Sequence, residues 1–254
     1  LFGGRLPAPN LKTLAGLTNY VEEHGCDIGI ATDGDADRLG VIDDKAEFLH
    51  PNKILVLLYY YLMRYRGWRG AAVRNLATTH LLDRIAEDFG ETCYEVPVGF
   101  KYVSAKMVET GAIIGGESSG GLTVRGHIQG KDGIYAAALL VEAIAKTGRR
   151  LSALWDEITQ KYGAAEMAEH DFHFSSAERT RIFKLLMEDK QLPEFPCEIA
   201  KVSYMDGCKV YFKNGGWVIA RFSGTEPLLR VFCEMDTMEN AGKIAKILTE
   251  FLSL

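Results

Sequence analysis

The sequence predicts an α/β fold, with a mainly parallel mixed-sheet domain followed by a small α+β domain. Between residues 53 and 148, short apolar runs alternate with helical segments, a pattern typical of parallel strands joined by crossover helices. Beyond Tyr162 the pattern changes to several short strands before a closing helix. The 254 residues are enough for two compact domains.

The first elements are predicted from apolar periodicity. Residues 10–23 have a helical pattern, residues 28–31 indicate a strand, and residues 41–43 indicate the returning strand of a hairpin. The alternating region then contains predicted helices at residues 53–65, 79–89, 102–110 and 134–146, and predicted strands at residues 71–73, 93–96 and 112–114. Ligands of such sheets bind at the carboxyl ends of the strands, so we expect candidate sites in the loops there.

The carboxyl-terminal region begins near residues 160–166. Ser175 and Glu178 form a capping-box pattern that opens a predicted helix ending near Met187. Asn214-Gly215 separates two apolar runs, which is typical of a tight hairpin between residues 209–212 and 217–222. A third strand is predicted at residues 229–233 and a closing helix at residues 238–252.

Composition and charge exclude several classes of partner. The net charge of −5 argues against nucleic acid or an anionic membrane as the main partner. The five cysteines have no CxxC or metal-finger spacing, which fits a reducing compartment, so we expect a cytoplasmic protein. The most apolar run, residues 54–63, has about half the length that spans a bilayer and is predicted to be a packed helix.

Residues 33–38, here called the aspartate loop, place Asp33, Asp35 and Asp37 directly after an apolar strand, with Arg38 beside them. Three carboxylates at alternate positions repel one another unless a cation neutralises them, and oxygen ligands favour Mg²⁺. An EF-hand is excluded because its sixth and twelfth loop positions would be Arg38 and Asp44. The alternative is an acidic turn that faces solvent.

Residues 115–121, here called the glycine loop, also follow an apolar strand. The glycines allow a ligand to approach the backbone, and Glu117, Ser118 and Ser119 offer groups suited to sugar hydroxyls. The alternative is a flexible Gly-Ser turn. Residues 116–120 fit the letters of the hydrolase elbow GxSxG, but no His and acid partners are identifiable by pattern.

Residues 221–227, here called the arginine loop, follow a third apolar strand. Arg221, Ser223, Gly224 and Thr225 offer a guanidinium, hydroxyls and amides within one turn, which predicts a phosphate site, and Arg230 offers a second guanidinium. The alternative is an ordinary hairpin connection with a surface arginine. A Walker loop is excluded because Gly130-Lys131 lacks the earlier glycine and the following Ser or Thr.

Five segments in this order resemble the α-D-phosphohexomutase superfamily, the phosphoglucomutases and phosphomannomutases. They are ATDGDADRLGVID, PVGFKYV, GGESSGG, HIQGKDGIY and RFSGTEPLLRV, and the resemblance covers essentially the whole chain. It implies residues 1–46 as the tail of domain II, residues 47–162 as α/β domain III, and residues 163–254 as α+β domain IV. The implied activity interconverts hexose 1-phosphate and hexose 6-phosphate through a phosphoserine.

The resemblance also implies roles for individual residues. One Mg²⁺ per active site would be held by the three aspartates of the aspartate loop. Arg38 would belong to the catalytic group, and His127 and Lys131 are candidates for moving the hydroxyl proton, because Gly121 stands where some relatives have a His. The sugar would be contacted by Glu117, Ser118 and Ser119 and by a second turn, Gly99, Phe100 and Lys101. The distal phosphate would be held by Arg221, Ser223, Gly224, Thr225 and Arg230.

The family's catalytic serine lies in a TASHNP-like segment, and this sequence has none. We therefore expect a truncated mutase that lacks its nucleophile and is inactive alone. Its expected partners are a phosphorylated hexose and the missing amino-terminal domains of the same polypeptide. Two other hypotheses stay open: a metal-dependent phosphatase with an aspartate nucleophile, and a non-catalytic phosphosugar-binding module.

Overall fold

The computed structural model describes residue 4 and residues 7–224 and 226–254. It divides into two compact units, Leu1–Tyr162 and Gly163–Leu254. Each unit has its own sheets and helices.

The first unit begins with one helix, which is followed by a small antiparallel sheet. Its strands are β1 (Gly29–Thr32), β2 (Leu39–Ile42) and β3 (Phe48–Leu49), preceded by helix α1 (Ala15–His24). The predicted hairpin is confirmed, since β1 and β2 pair antiparallel from Gly29 opposite Ile42 to Thr32 opposite Leu39. The predicted start of the helix at Asn10 is wrong. The Asn10 side chain instead accepts hydrogen bonds from the amides of Lys12 and Thr13, which holds a separate turn before the helix.

A four-stranded sheet forms the centre of the first unit. Its strands lie in the order β5-β4-β6-β7, with β4 parallel to β5 and β6, and β7 antiparallel to β6. The strands are β4 (Ala72–Asn75), β5 (Cys93–Val96), β6 (Ile114–Gly116) and β7 (Leu122–Val124). The helices are α2 (Pro51–Arg64), α3 (Leu81–Asp88), α4 (Phe100–Thr110), α5 (Gly133–Thr147) and α6 (Leu151–Tyr162). The predicted mixed, mainly parallel sheet is therefore confirmed.

Helix α2 is the packed helix that its apolar run predicts. Its three consecutive tyrosines are buried, and each hydroxyl has a partner: Tyr59 donates to the Gly70 carbonyl, Tyr60 to Glu157 and Tyr61 to Glu142. Buried tyrosines normally satisfy the hydroxyl in this way. No helix in the described ranges is both long enough and apolar enough to cross a membrane.

The second unit is built on a five-stranded antiparallel sheet. The strand order is β8-β12-β11-β10-β9, and two helices accompany it. The strands are β8 (Glu166–His173), β9 (Ile199–Ser203), β10 (Cys208–Phe212), β11 (Trp217–Phe222) and β12 (Leu228–Met235), and the helices are α7 (Ser176–Phe183) and α8 (Met238–Phe251). The predicted hairpin is β10–β11, and the capping box of Ser175 and Glu178 is present. A π-helical turn, Lys184–Glu188, follows α7 where the sequence predicts continued α-helix.

Candidate functional site

The aspartate loop is the turn between β1 and β2. Its side chains converge, because one carboxylate oxygen from each of Asp33, Asp35 and Asp37 lies within 4.8 Å of the other two. Asp33 is buried, Asp37 half-buried and Asp35 exposed. Three oxygen donors at this spacing, with one side open to solvent, fit a hard divalent ion that also keeps water or substrate oxygens.

Arg38 fixes the buried member of this cluster. Its backbone amide donates to Asp33 Oδ1 at 3.1 Å and its Nε donates to Asp33 Oδ2 at 2.5 Å, while the same Nε lies 3.6 Å from Asp37. Burial alone would raise the pKa of Asp33, but the hydrogen bonds and the charge of Arg38 outweigh it and hold that pKa below its usual value. Asp33 therefore carries its negative charge at neutral pH.

The glycine loop presents one buried acid, Glu117. Its Oε1 accepts hydrogen bonds from Asn75 Nδ2 and from the Gly99 amide, both at 2.9 Å. No hydrogen bond to Oε2 occurs within the part of the chain that the structure describes. Ser118 is half-buried and Ser119 is exposed. The loop therefore offers one carboxylate oxygen and an accessible hydroxyl.

Two residues that the sequence reasoning missed hold this loop. Asn75, at the carboxyl end of β4, also accepts from the Ala77 amide and from Thr78 Oγ1, and Thr78 Oγ1 accepts from the Ser118 amide at 3.0 Å. The available signal was their position, since polar residues directly after a buried parallel strand lie at the ligand edge of the sheet.

The aspartate and glycine loops are joined through their backbones. Arg38 pairs with Gly121 as an isolated antiparallel bridge, and the first residue of α5, Gly133, donates its amide to the Ala36 carbonyl at 2.9 Å. A Cβ at Gly133 would lie 2.9 Å from the carbonyl oxygens of Ala36 and Arg38, so only glycine fits there without movement. The two loops and the start of α5 therefore form one continuous surface.

The two candidates for proton transfer have different surroundings. His127 Nε2 lies 2.7 Å from Asp132 Oδ2. The His127 ring stacks on the Tyr135 ring, with the two ring centres 4.0 Å apart. The ammonium group of Lys131 forms an ion pair with Asp37. Only Lys131 of the two therefore contacts the aspartate loop.

The second predicted sugar-contacting turn lies beside the glycine loop. Gly99 precedes α4, and its φ of 130° is one that residues with a side chain rarely adopt. Phe100 is half-buried and packs against the apolar cluster formed by residues of β4, β5 and α4. Lys101 is exposed, and its ammonium group lies 4.9 Å from the centre of the Tyr102 ring. Of the three, Lys101 therefore has the most exposed side chain.

In the second unit, the arginine loop connects β11 to β12. Arg221 and Arg230 are directly opposite each other in this pair of strands. Arg221 Nε donates to Asp206 at 2.8 Å, and Arg230 Nη2 donates to Glu226 at 3.0 Å. Each of these two guanidinium groups is therefore already balanced by an acid.

The remaining predicted residues of this loop differ in exposure. Ser223 is half-buried, with its amide bonded to the Leu228 carbonyl at 2.8 Å, and Gly224 is exposed. Thr225, which the sequence also predicts as a phosphate ligand, lies outside the described residues.

Models of three consecutive domains of one protein family match this chain. They are described as phosphoglucomutase/phosphomannomutase alpha/beta/alpha domain II, alpha/beta/alpha domain III and C-terminal domain, and they match residues 1–46, 50–162 and 183–250. This chain belongs to the α-D-phosphohexomutase superfamily.

Individual relatives support this family assignment. A Thermococcus kodakarensis protein named phosphoglucomutase/phosphomannomutase is 35% identical over 97% of this chain and 51% of its own length. A Pyrococcus furiosus protein with the provisional name phosphoglucosamine mutase is 32% identical over 94% of this chain and 50% of its own length. The crystal structure of a Thermus thermophilus protein, provisionally named a phosphomannomutase, matches with a TM-score of 0.81 at 30% identity, over 100% of this chain and 52% of that one.

The chain thus spans about half the length of the relatives it matches. Each of the three loops falls within a different domain match. The aspartate loop lies in the domain II match, the glycine loop in the domain III match and the arginine loop in the match to the C-terminal domain. The family resemblance that the sequence motifs predict is confirmed.

Proposed function

We propose that this chain supplies the metal, sugar and distal-phosphate sites of a cytoplasmic mutase. The enzyme would interconvert hexose 1-phosphate and hexose 6-phosphate, with glucose or mannose as the hexose, through a phosphoserine and one Mg²⁺ per active site. The observation that carries the proposal is the backbone connection between the aspartate loop and the glycine loop at Arg38 and Gly121. This connection supports the proposal because it brings the loop that would hold the cation and the loop that would contact the sugar to one edge of the first unit.

Asp33, Asp35 and Asp37 are the residues that would hold the metal, since their oxygens converge and the site is open on one side. When bound, Mg²⁺ supplies the positive charge that stabilises the phosphoryl group in transfer. Arg38 keeps Asp33 ionised and in place for this role.

Glu117 would orient the sugar. Asn75 and Gly99 hold its Oε1, which leaves Oε2 to accept a hydrogen bond from a sugar hydroxyl. Ser118, Ser119 and the turn of Gly99, Phe100 and Lys101 would complete the sugar contacts. Such fixed donors and acceptors hold the reacting oxygen in line with the phosphoryl group.

Arg221 and Arg230, with Ser223, Gly224 and Thr225, would bind the phosphate that does not react. Binding energy from this remote group serves the reaction in both orientations of the substrate. Lys131, which contacts the aspartate loop, is better placed to move the hydroxyl proton than His127, which Asp132 and Tyr135 hold.

The catalytic serine would come from amino-terminal domains of the same polypeptide, so we expect no turnover by the 254 residues alone. The test is titration calorimetry of this chain with glucose 6-phosphate, together with a ³¹P NMR assay of glucose 1-phosphate conversion. We expect binding that Arg221→Ala and Glu117→Gln each weaken about tenfold or more, because each removes a charged hydrogen-bonding group. Unchanged binding in both variants would contradict the proposal.

The NMR assay separates the remaining hypotheses. Formation of glucose 6-phosphate by the pure chain would contradict the expected inactivity. Release of phosphate that is lost in Asp33→Asn would favour the phosphatase hypothesis, although both oxygens of Asp33 are engaged by Arg38, which disfavours Asp33 as a nucleophile. Tighter binding of glucosamine 6-phosphate than of glucose 6-phosphate would reassign the hexose.

A further inference from the structure

Lys131 lies where it neutralises the aspartate loop. Its ammonium group is paired with Asp37, and Arg38 is paired with Asp33. Two cationic side chains therefore oppose the three carboxylates of the loop. The Asp37 and Lys131 side chains are 24% and 28% exposed, so this pair is only partly screened by water.

Gly121 provides the path for the Lys131 side chain. A Cβ at position 121 would overlap the Cδ of Lys131 and come within 2.7 Å of its Cγ. Gly121 is not among the residues of positive φ, so its backbone does not itself require glycine. The space above Gly121 is therefore used by the aliphatic part of Lys131 on its way to Asp37.

We propose that Lys131 is an internal counterion that competes with the divalent cation for Asp37. The inference rests on the proposed metal site. A cation bound by the three aspartates takes an oxygen of Asp37 as a ligand and repels the neighbouring ammonium group. Cation binding then releases Lys131 from Asp37, so that its amine becomes available to the sugar only when the metal is in place. Gly121 makes this arrangement possible, and a side chain at this position would prevent it.

The test is the affinity of the chain for Mn²⁺ alone, measured from the electron paramagnetic resonance of the free ion. We expect Lys131→Met to bind Mn²⁺ up to about fivefold more tightly than the wild type, since one competing ion pair is removed. We expect Gly121→Ala to tighten binding in the same direction without any change of charge, because the new methyl group displaces Lys131. Lys106→Met is the matched control, since Lys106 is 29% exposed and pairs with Glu109 elsewhere in the same unit.

A second readout follows the amine directly. The rate at which acetic anhydride modifies Lys131, measured by mass spectrometry, is expected to rise when Mg²⁺ is added, whereas that of Lys106 stays constant. Equal Mn²⁺ affinities in wild type, Lys131→Met and Gly121→Ala would overturn the inference and leave the metal site standing. Absence of Mn²⁺ binding in all of them would overturn the metal site and the inference together.

Discussion

Asn75→Ala removes three hydrogen bonds at once from the base of the glycine loop. In the wild type Asn75 donates to Glu117 Oε1 at 2.9 Å and accepts from the Ala77 amide at 2.9 Å and from Thr78 Oγ1 at 2.8 Å. Asn75 is only 2% exposed, so bulk water has little access to replace these partners. The carboxylate of Glu117 then keeps the Gly99 amide as its one hydrogen-bond donor among the described residues.

The expected loss of stability follows from these bonds. A hydrogen bond to a charged group contributes about 1.5–3 kcal/mol and a neutral one about 1 kcal/mol. Removing one charged and two neutral bonds is expected to lower the free energy of unfolding of the first unit by about 4 kcal/mol. The shape-matched control Thr78→Val removes only the hydroxyl that links Asn75 to the Ser118 amide, so about 2 kcal/mol is expected.

Urea unfolding provides the assay, with hydrogen exchange of peptides from residues 72–124 as the local probe. Binding of glucose 6-phosphate to folded Asn75→Ala is expected to weaken as well, because Glu117 is no longer held in one orientation. A cost below about 1 kcal/mol for Asn75→Ala, or a larger cost for Thr78→Val, would refute the assignment of Asn75 as the anchor of this loop.

Three further changes test other parts of the structure. Arg74→Met removes a buried guanidinium that pairs with the partly exposed Asp83 and with the less exposed Glu95. It is expected to cost about 3 kcal/mol in urea unfolding, mainly through Glu95, and no loss would contradict the pairing. The pKa of Asp132 is lowered by hydrogen bonds from the backbone of α5 and from His127, so the folded state binds this proton less readily than the unfolded state. The stabilisation is therefore complete above the ordinary pKa of about 4 and is lost as the pH falls through the lowered folded-state value. Between about pH 5 and pH 2, the urea midpoint is expected to fall less steeply with falling pH in Asp132→Ala than in the wild type. Equal slopes in the two proteins would contradict this. Gly207→Ala places a side chain at a φ of 98° and 2.6 Å from a backbone oxygen, so about 2 kcal/mol of destabilisation is expected in the second unit, and full stability would show that the turn relaxes.

The aspartate loop and the hairpin that carries it could be predicted because all of their signals are local. Three acids at alternate positions follow an apolar strand, and a second apolar run follows them. Helices α2 and α5 are similarly evident from their long apolar patterns. Such segments form the same structure in almost any surroundings that cover their apolar face.

Other elements are absent from the predictions because their causes lie far away in the sequence. The first turn of helix α6 is held by Asp44. The Asp44 carboxylate accepts hydrogen bonds from the Ser152 amide at 3.0 Å and from the Ser152 hydroxyl at 2.7 Å. Strands β8 and β9 are the two edges of the second sheet, and β8 carries charged residues on its exposed face, which weakens the alternation that would identify it. In the site itself, the roles of Asn75 and Gly121 depend on contacts with Glu117 and Lys131 that only the folded structure creates.

Both kinds of charged site in this chain contain their own counterions. The aspartate loop is opposed by Arg38 and Lys131. Arg221 of the arginine loop is opposed by Asp206, and Arg230, which follows that loop, is opposed by Glu226. A ligand at either site therefore exchanges one ion pair for another, and the net gain is smaller than the charge of the ligand alone would give. If the proposed mutase function holds, the enzyme would have to bind its sugar phosphate in two orientations and let it turn between them, and moderate affinity at both charged sites would suit that requirement. The aspartate and glycine loops, by contrast, are joined by a backbone bridge between Arg38 and Gly121 and not by ion pairs, so an exchange of ion pairs leaves this connection in place.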